Sequence, residues 1–78
     1  MKYIVVELQT YTDGTFGHLV WDYDKIAEAE SKYYTVMAAA AISEVPIHAC
    51  SLLDATGRLL LHAYYDRRSA EPVPEPEE

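Results

Sequence analysis

Cysteine is nearly absent from the sequence, and this scarcity limits both the compartment and the chemistry of the protein. Cys50 is the only cysteine among 78 residues, so no disulfide can form within one chain. Small secreted domains usually depend on disulfides, whereas one free thiol is typical of a reducing compartment. The sequence therefore argues against a disulfide-stabilised secreted scaffold.

Long apolar runs are also missing. No stretch approaches the roughly 20 apolar residues that a membrane-spanning helix requires. Near the N-terminus, Glu7 and Gln9 interrupt the segment that would have to form the apolar part of a signal peptide. We expect a soluble, intracellular protein without a membrane partner.

Basic residues are few, six against 13 acidic ones, and the formal net charge is −7. Residues 69–78 contribute −4 of this charge, which leaves −3 for residues 1–68. Sequence-independent binding to DNA or RNA depends on a surplus of positive charge. The composition therefore disfavours a nucleic-acid partner.

The length of 78 residues leaves room for one domain. We predict a single α+β domain over residues 1–66 and an acidic, Pro/Glu-rich flexible tail over residues 67–78. Alternating Pro and Glu cannot bury apolar surface, so the tail is expected to keep the domain soluble. A domain this small buries only about 60% of its unfolded surface, and a partner subunit would stabilise it.

The first predicted hairpin joins residues 2–11 to residues 16–22. Asp13-Gly14 between β-rich segments favours a two-residue loop, which pairs Thr12 with Thr15. In this register one almost wholly apolar side is predicted to consist of Ile4, Val6, Leu8, Leu19, Trp21 and Tyr23.

The second predicted hairpin joins residues 47–54 to residues 58–65. Asp54 and Gly57 at the first and fourth turn positions favour a type I turn with a G1 bulge. This register pairs Cys50 with His62. The side expected to meet a helix consists of Ile47, Ala49, Ser51, Leu53, Leu59, Leu61, Ala63 and Tyr65.

A helix is predicted between the hairpins, over about residues 25–43. Asp24 or Asp22 is expected to cap its first turn, and Pro46 prevents its continuation. A core stripe recurs at helical spacing: Ile26, Ala29, Tyr33, Val36, Met37 and Ala40. A second apolar strip gives the helix interface candidates Tyr34, Ala38, Ala41 and Ile42.

These elements predict a ββαββ fold, with a four-stranded antiparallel sheet of two hairpins and one helix packed on one face. The two registers assign to the uncovered face Glu7, Gln9, Tyr11, Phe16, His18, His48, Cys50, Leu52, Leu60, His62 and Tyr64. An exposed apolar face with aromatic and titratable groups is typical of an interface or a ligand site. We therefore expect a homo-oligomer.

Chemistry on this face has two interpretations. His18, His48 and His62 share this predicted face and are therefore candidates for a metal site. They are weak candidates, because no pair has the close spacing of a zinc motif. Cys50 opposite His62 resembles a nucleophile with its base, but it lies in mid-strand with no oxyanion-binding element beside it. Histidines that form interface hydrogen bonds are the alternative, so we assign no catalytic residue, metal or cofactor.

No glycine motif for phosphate binding is present. The bases that could meet an anion are Lys2 and Arg58, with Arg67 and Arg68, all predicted at strand ends. Oligomerisation could gather copies of them around one pocket. Alternatively, they are solubilising charges.

Three segments carry a resemblance to a known group: MKYIVVELQTYTDGTFG, EAESKYYTVMAAAAIS and VPIHACSLLDATGRLL. The chain, over about residues 1–65, resembles short uncharacterised proteins of phages and prophages of gut Firmicutes. The resemblance implies a phage-encoded protein acting in the cytoplasm of a bacterial host or in a virion. It implies no catalytic or binding residues.

Three hypotheses for function follow. The first is a non-enzymatic, self-associating phage accessory protein, such as an anti-defence or host-takeover factor that sequesters a small molecule or a host protein. The second is a virion or assembly accessory protein with a phage protein partner. The third is a small metal-assisted enzyme.

Overall fold

A computed structural model describes residues 1–67 of the chain. Its elements are, in chain order, β1 (Tyr3–Thr10), β2 (Phe16–Tyr23), α1 (Ile26–Ala41), β3 (Ile47–Asp54) and β4 (Leu59–Asp66). The predicted flexible tail lies outside the described residues from residue 68 onward.

The four strands form one antiparallel sheet in the order β2-β1-β3-β4, and α1 packs on one of its faces. The predicted α+β class and ββαββ order are confirmed. The first strand in sequence is central in the sheet, because β1 pairs with β2 on one side and with β3 on the other.

The helix α1 is slightly shorter than predicted and begins without the expected cap. Lys25 occupies the N-cap position and makes no side-chain capping hydrogen bond. Asp24, one of the two predicted caps, instead forms an ion pair of 2.9 Å with Lys2. Of the predicted core stripe, Ala29, Tyr33, Val36 and Ala40 are buried, Met37 packs against the core, and Ile26 is largely exposed.

The register of the first hairpin differs from the prediction by one residue. Thr10 pairs with Phe16, and the Tyr11 N–H donates to the Thr15 carbonyl at 2.9 Å. The loop therefore has three residues, and Gly14 adopts a positive φ of 88°. Such a loop needs only one left-handed residue, whereas the predicted two-residue loop would have forced Asp13 into that conformation as well.

A shift of one residue exchanges the two faces of one strand relative to the other. Val5 is fully buried under the helix, so the helix side of β1 carries its odd-numbered residues. The prediction that Ile4, Val6 and Leu8 face the helix was therefore wrong. On β2, Trp21 and Tyr23 do pack against the core, as predicted.

The turn of the second hairpin is confirmed, but the register beyond it is not. The Asp54 N–H donates to the Arg58 carbonyl, and Gly57 has a φ of 89°. An irregularity between Leu52 and Leu53 then inserts an extra residue in β4, so that Leu52 pairs with Leu61. The predicted pair of Cys50 and His62 is wrong for this reason.

The core lies between α1 and the helix-facing side chains of the two central strands. Its largest fully buried side chains are Leu52, Val5 and Cys50. Leu60 and Leu61 both pack against it, because the bulge turns two successive β4 side chains toward the helix. The predicted helix side of the second hairpin was wrong for β3, where His48, Cys50 and Leu52 are buried.

Candidate functional site: the open face of the sheet

The side of the sheet away from α1, here called the open face, is a grid of four rows with four side chains each. Cross-strand pairing defines its members. From β2 across to β4 the rows are Asp22-Ile4-Leu53-Leu59, Val20-Val6-Ser51-His62, His18-Leu8-Ala49-Tyr64 and Phe16-Thr10-Ile47-Asp66.

The open face is strongly apolar for a surface without a covering element. Its outer strands expose large side chains, with Phe16 at 60%, Val20 at 58% and Tyr64 at 61% exposure. The carboxylates of Asp22 and Asp66 are the only charged groups of the grid, apart from the titratable histidines, and they occupy opposite corners. A contiguous apolar patch of this kind is typical of a binding surface.

Each outer strand carries one histidine beside an aromatic ring. The rings of Phe16 and His18 are 6.1 Å apart, and those of His62 and Tyr64 are 5.9 Å apart, both at an interplanar angle of 30°. A hydrogen bond of 2.9 Å joins His62 Nδ1 to Ser51 Oγ. These contacts hold the two imidazole rings over the open face.

The grid has an approximate two-fold relation about its centre. A rotation of 180° about the normal to the sheet exchanges the positions of the corner residues Asp22 and Asp66. The same rotation exchanges the positions of His18 and His62. The relation fails at the centre, where bulky Val6 and Leu8 of β1 lie beside small Ser51 and Ala49 of β3. At its centre the open face therefore has bulky side chains on β1 and small ones on β3.

Several residues predicted for the uncovered face lie on the helix side instead. Phe16, His18, His62 and Tyr64 do share the open face, as predicted. The residues that do not are Glu7, Gln9, His48, Cys50, Leu52 and Leu60, which the two register shifts place on the helix side. Ile4, Val6, Leu8 and Leu53 take their place beside Val20, so the open face is more apolar than expected.

A chain of polar side chains runs along the helix side of β1 into the core. Tyr11, in the turn, donates a hydrogen bond to Gln9 Oε1, and Gln9 Nε2 donates to Glu7 Oε2 at 2.9 Å. Glu7 Oε2 also accepts a hydrogen bond from His48 Nε2. Both ends of this last bond are buried, and His48 Nδ1 has no hydrogen-bond partner. The predicted site residues Glu7, Gln9 and His48 thus form a buried structural network.

Cys50 is a core residue without the surroundings of a nucleophile. Burial, with a smaller effect from the charge of Glu7, raises the pKa of its thiol to about 11. His62, its predicted base, pairs with Ser51 on the opposite face. The thiol therefore stays protonated at neutral pH.

The three histidines do not form a metal site. His48 is buried under the helix, whereas His18 and His62 lie on the open face at the two outer strands. Within residues 1–67, no three His, Cys, Asp or Glu side chains are arranged to hold a metal ion.

The predicted basic residues are divided between the two ends of the sheet. Lys2 lies beside Asp24 at 2.9 Å and Asp22 at 3.7 Å, and the hydrogen bond with Asp24 raises its pKa. Arg58 is exposed at the turn near the same end, whereas Arg67 lies beside the loop before β3 at the other end. Within residues 1–67, Lys2 and Arg58 are the two of these bases that share an end, beside two carboxylates, and Arg68 lies outside the described residues.

Sequence reasoning missed the role of Arg67, which it placed in the tail. The Arg67 guanidinium donates hydrogen bonds to the carbonyls of Ala40 at 2.5 Å, Ala41 at 3.2 Å and Val45 at 3.2 Å. Arg67 belongs to the folded domain and binds the C-terminal end of α1. Its position directly after a strand ending in Asp66 carried no signal of this contact.

A pocket of about 610 Å³ lies at this end of the sheet. It is lined by Thr10, Tyr11, Thr12, Gly14, Glu44, Pro46 and Arg67. Polar and aromatic groups and one charge of each sign therefore meet in it. Of the predicted site residues, Tyr11 lines this pocket rather than the open face.

The helix interface candidates are exposed on the side of α1 that faces away from the sheet. Ile42 is 87% exposed and Tyr34 60%, and Ala38 and Ala41 are exposed between them. Tyr34 packs its ring edge to face against Tyr33 at 5.1 Å. This strip is narrower and less continuous than the open face.

Comparisons of the chain with protein-family models, curated proteins and solved structures found no match. In the described part of the chain, no helix combines the length and the apolar character needed to cross a bilayer. The site is therefore interpreted from its own geometry.

Proposed function

We propose that the protein is a non-enzymatic, self-associating phage accessory protein that acts through the open face of its sheet. The observation that carries the proposal is the grid itself, with sixteen positions and carboxylates only at two opposite corners. Solvent-facing sides of antiparallel sheets normally alternate toward charged and polar residues. A face of this composition is stabilised by a covering partner.

The arrangement of the reactive side chains supports a binding role rather than catalysis. Cys50 and His62 lie on opposite faces, and Glu7 and His48 are buried together without a path to substrate. Acid–base or nucleophilic catalysis needs such groups within hydrogen-bonding reach of a bound substrate. The open face offers aromatic, imidazole and aliphatic surface, which suits recognition.

Within this class we favour an anti-defence or host-takeover factor that sequesters a small molecule or a host protein. The pocket beside Arg67 and Tyr11 supports the small-molecule version, because its volume of about 610 Å³ suits a nucleotide-sized or smaller ligand. Thr10 belongs to both the open face and this pocket, whereas Tyr11, Glu44 and Arg67 line the pocket from outside the grid. A host protein would bind surfaces that the oligomer leaves exposed.

Sedimentation equilibrium at micromolar concentration tests self-association, with a matched pair of variants. Val20 and Leu19 are neighbours on β2 with similar exposure, 58% and 51%, but they lie on opposite faces. Val20→Lys should dissociate the oligomer, because it places an ammonium group in an apolar interface. Leu19→Lys should leave the oligomer intact.

A monomeric wild-type protein at these concentrations would overturn the proposal. Equal dissociation by both substitutions would show that another surface mediates association. A monomer found in many copies in purified virions by mass spectrometry would replace the proposal with the assembly hypothesis.

A further inference from the structure

We propose that the partner on the open face is a second copy of the chain, stacked face to face about a two-fold axis parallel to the strands. In this arrangement β1 of each subunit lies over β3 of the other, and β2 lies over β4. The inference rests on the proposed function, since it names the occupant and the orientation of the same surface. Packed sheets normally keep their strands within about 30° of each other, which agrees with this axis.

The sizes of the side chains at the centre of the grid favour this axis over a two-fold across the strands. The two-fold parallel to the strands places Leu8 over Ala49 of the partner subunit and Val6 over Ser51 of the partner subunit. Bulky side chains then fill the space above small ones, as close packing of a core requires. A two-fold across the strands would place Leu8 against Val6 and leave Ala49 opposite Ser51, with overpacking in one half and a void in the other.

The corner carboxylates disfavour the two diagonal axes. A two-fold along either diagonal of the grid would place Asp22 against Asp22 or Asp66 of the partner subunit, with like charges in contact. The two-fold parallel to the strands instead brings Asp22 near Leu59 and Asp66 near Phe16, at the rim. Asp22 there keeps its partner Lys2 at 3.7 Å.

The same axis gives the two histidines apolar or hydrogen-bonding neighbours. His18 lies over Tyr64 of the partner subunit, whose hydroxyl can bond an imidazole nitrogen, and His62 lies over Val20. The ring pairs on both outer strands then close the two long edges of the interface. Tyrosines at such positions are frequent anchors of protein interfaces.

The area of the open face is sufficient for a specific dimer. Four strands of eight residues span about 19 by 26 Å, at roughly 4.8 Å between strands and 3.3 Å per residue. Two such faces cover about 1,000 Å² in projection, and the accessible area of the side chains is larger than this projection. Specific interfaces begin at about this size.

Cross-linking between differently tagged copies tests the orientation. One copy carries His18→Cys and the other Tyr64→Cys, and a short bis-maleimide joins thiols that lie close together. Each copy carries one engineered cysteine, so a mixed product reports contact between subunits. The native Cys50 is buried, with its thiol pKa raised to about 11, and does not compete at pH 7.

The control mixture pairs His18→Cys with Val20→Cys, the neighbours expected for the two-fold across the strands. We expect the first mixture to form at least about tenfold more mixed dimer than the control. A dominant product in the control mixture would overturn the orientation. Absence of product in both, with a dimeric protein in sedimentation, would also overturn it while the proposed self-association stands.

A monomer in sedimentation would instead contradict the proposed function and the inference together. Isotope-filtered NOE measurements on mixed labelled and unlabelled wild-type protein provide a second readout that needs no substitution. Methyl contacts from Leu8 to Ala49 of the partner subunit support the orientation. Contacts from Leu8 to Val6 of the partner subunit contradict it.

Discussion

His48 and Glu7 form a hydrogen bond inside the core, across the boundary between β3 and β1. His48 Nε2 donates to Glu7 Oε2, because a carboxylate can only accept. The two residues are 4% and 8% exposed, so neither can exchange its partner for bulk water. His48 therefore depends on Glu7 for its hydrogen bond, whereas Glu7 also accepts one from Gln9.

We expect Glu7→Leu and His48→Leu each to lower the free energy of unfolding by about 2–4 kcal/mol. Glu7→Leu leaves the buried His48 without a partner, and His48→Leu leaves the buried Glu7 carboxylate with Gln9 alone. The double variant should lose less than the sum, with a coupling of about 1 kcal/mol or more. Urea denaturation of all four proteins measures this. Combining Glu7→Leu with Glu44→Leu, an exposed position, should be additive, and additivity of Glu7 with His48 would contradict the structure.

The two turn glycines should respond to alanine differently from the strand glycine. Gly14 and Gly57 have φ values of 88° and 89°, so alanine at either position should lower the free energy of unfolding by about 1 kcal/mol. Space is not the cause, because an added Cβ meets nothing within 4 Å at either position. Thermal unfolding should show a decrease of roughly 4–8 °C for each.

Gly17→Ala is the control for this pair. Its added Cβ would lie 3.7 Å from the Tyr11 ring, an ordinary contact, and Gly17 has no positive φ. Alanine is favoured over glycine within a strand, so this variant should be neutral or more stable. Equal destabilisation at all three positions would show that the turns are not as described.

Arg67 should contribute more to stability than an exposed arginine. α1 has no basic residue in its last turn, and Arg67 donates to two of its terminal carbonyls from the far end of the chain. We expect Arg67→Ala to cost about 1–3 kcal/mol and Arg67→Lys to recover only part of this, because an ammonium lacks the guanidinium fork. Chemical denaturation measures the loss.

Arg58→Ala, at an exposed turn position, is the matched control and should change stability by less than about 0.5 kcal/mol. If Arg67→Ala were as mild as this control, the contact with α1 would contribute nothing.

Cys50 should make stability decrease at alkaline pH. The pKa of its thiol is raised to about 11 in the folded state, whereas the pKa of a thiol in the unfolded chain is about 8.5. Between these values the unfolded state releases a proton that the folded state keeps, so rising pH favours unfolding. Urea denaturation from pH 7 to 10 should show a steeper loss for the wild type than for Cys50→Ala.

The tyrosines titrate in both proteins, so the difference between the two pH dependences of the free energy of unfolding reports the Cys50 thiol. Parallel pH dependences would contradict a buried, protonated Cys50.

The elements of the fold could be predicted from the sequence because each depends on local chemistry. Two β-rich segments end at turns that contain a glycine, an alanine-rich segment has helical spacing, and Pro46 separates it from β3. The core positions Tyr33, Val36 and Ala40 followed from that spacing alone. Local propensity and the global fold agree in these segments.

The faces of the strands were harder to predict because they depend on single-residue differences in turn geometry. Both hairpins use the same turn, in which a glycine N–H donates to the carbonyl three residues before it, from Gly14 to Tyr11 and from Gly57 to Asp54. Asp13-Gly14 matches a two-residue loop equally well, and this ambiguity exchanged the two sides of β1. The candidates Glu7 and Gln9 moved with it to the helix side.

The bulge in β4 left no trace in the sequence pattern. Leu59, Leu60 and Leu61 are identical side chains, so polarity cannot show which of them is the extra residue. Because of this extra residue, His62 pairs with Ser51 and not with Cys50 as predicted. An apolar uncovered face was predicted nevertheless, because the strands have apolar residues at both their odd-numbered and their even-numbered positions.

The central position of β1 has a consequence for synthesis of the chain. Thr10 can pair with Phe16 of β2 as soon as the short loop between them has been synthesised. Its pairing with Ile47 requires β3, which is synthesised only after α1. A nascent chain that has emerged only as far as α1 therefore carries a hairpin in which the outer edges of both β1 and β2 are unpaired, and a neighbouring chain could add a strand to the β1 edge. Pairing of β3 covers the β1 edge and makes β1 an internal strand, so that only β2 and β4 remain at the edges of the finished sheet.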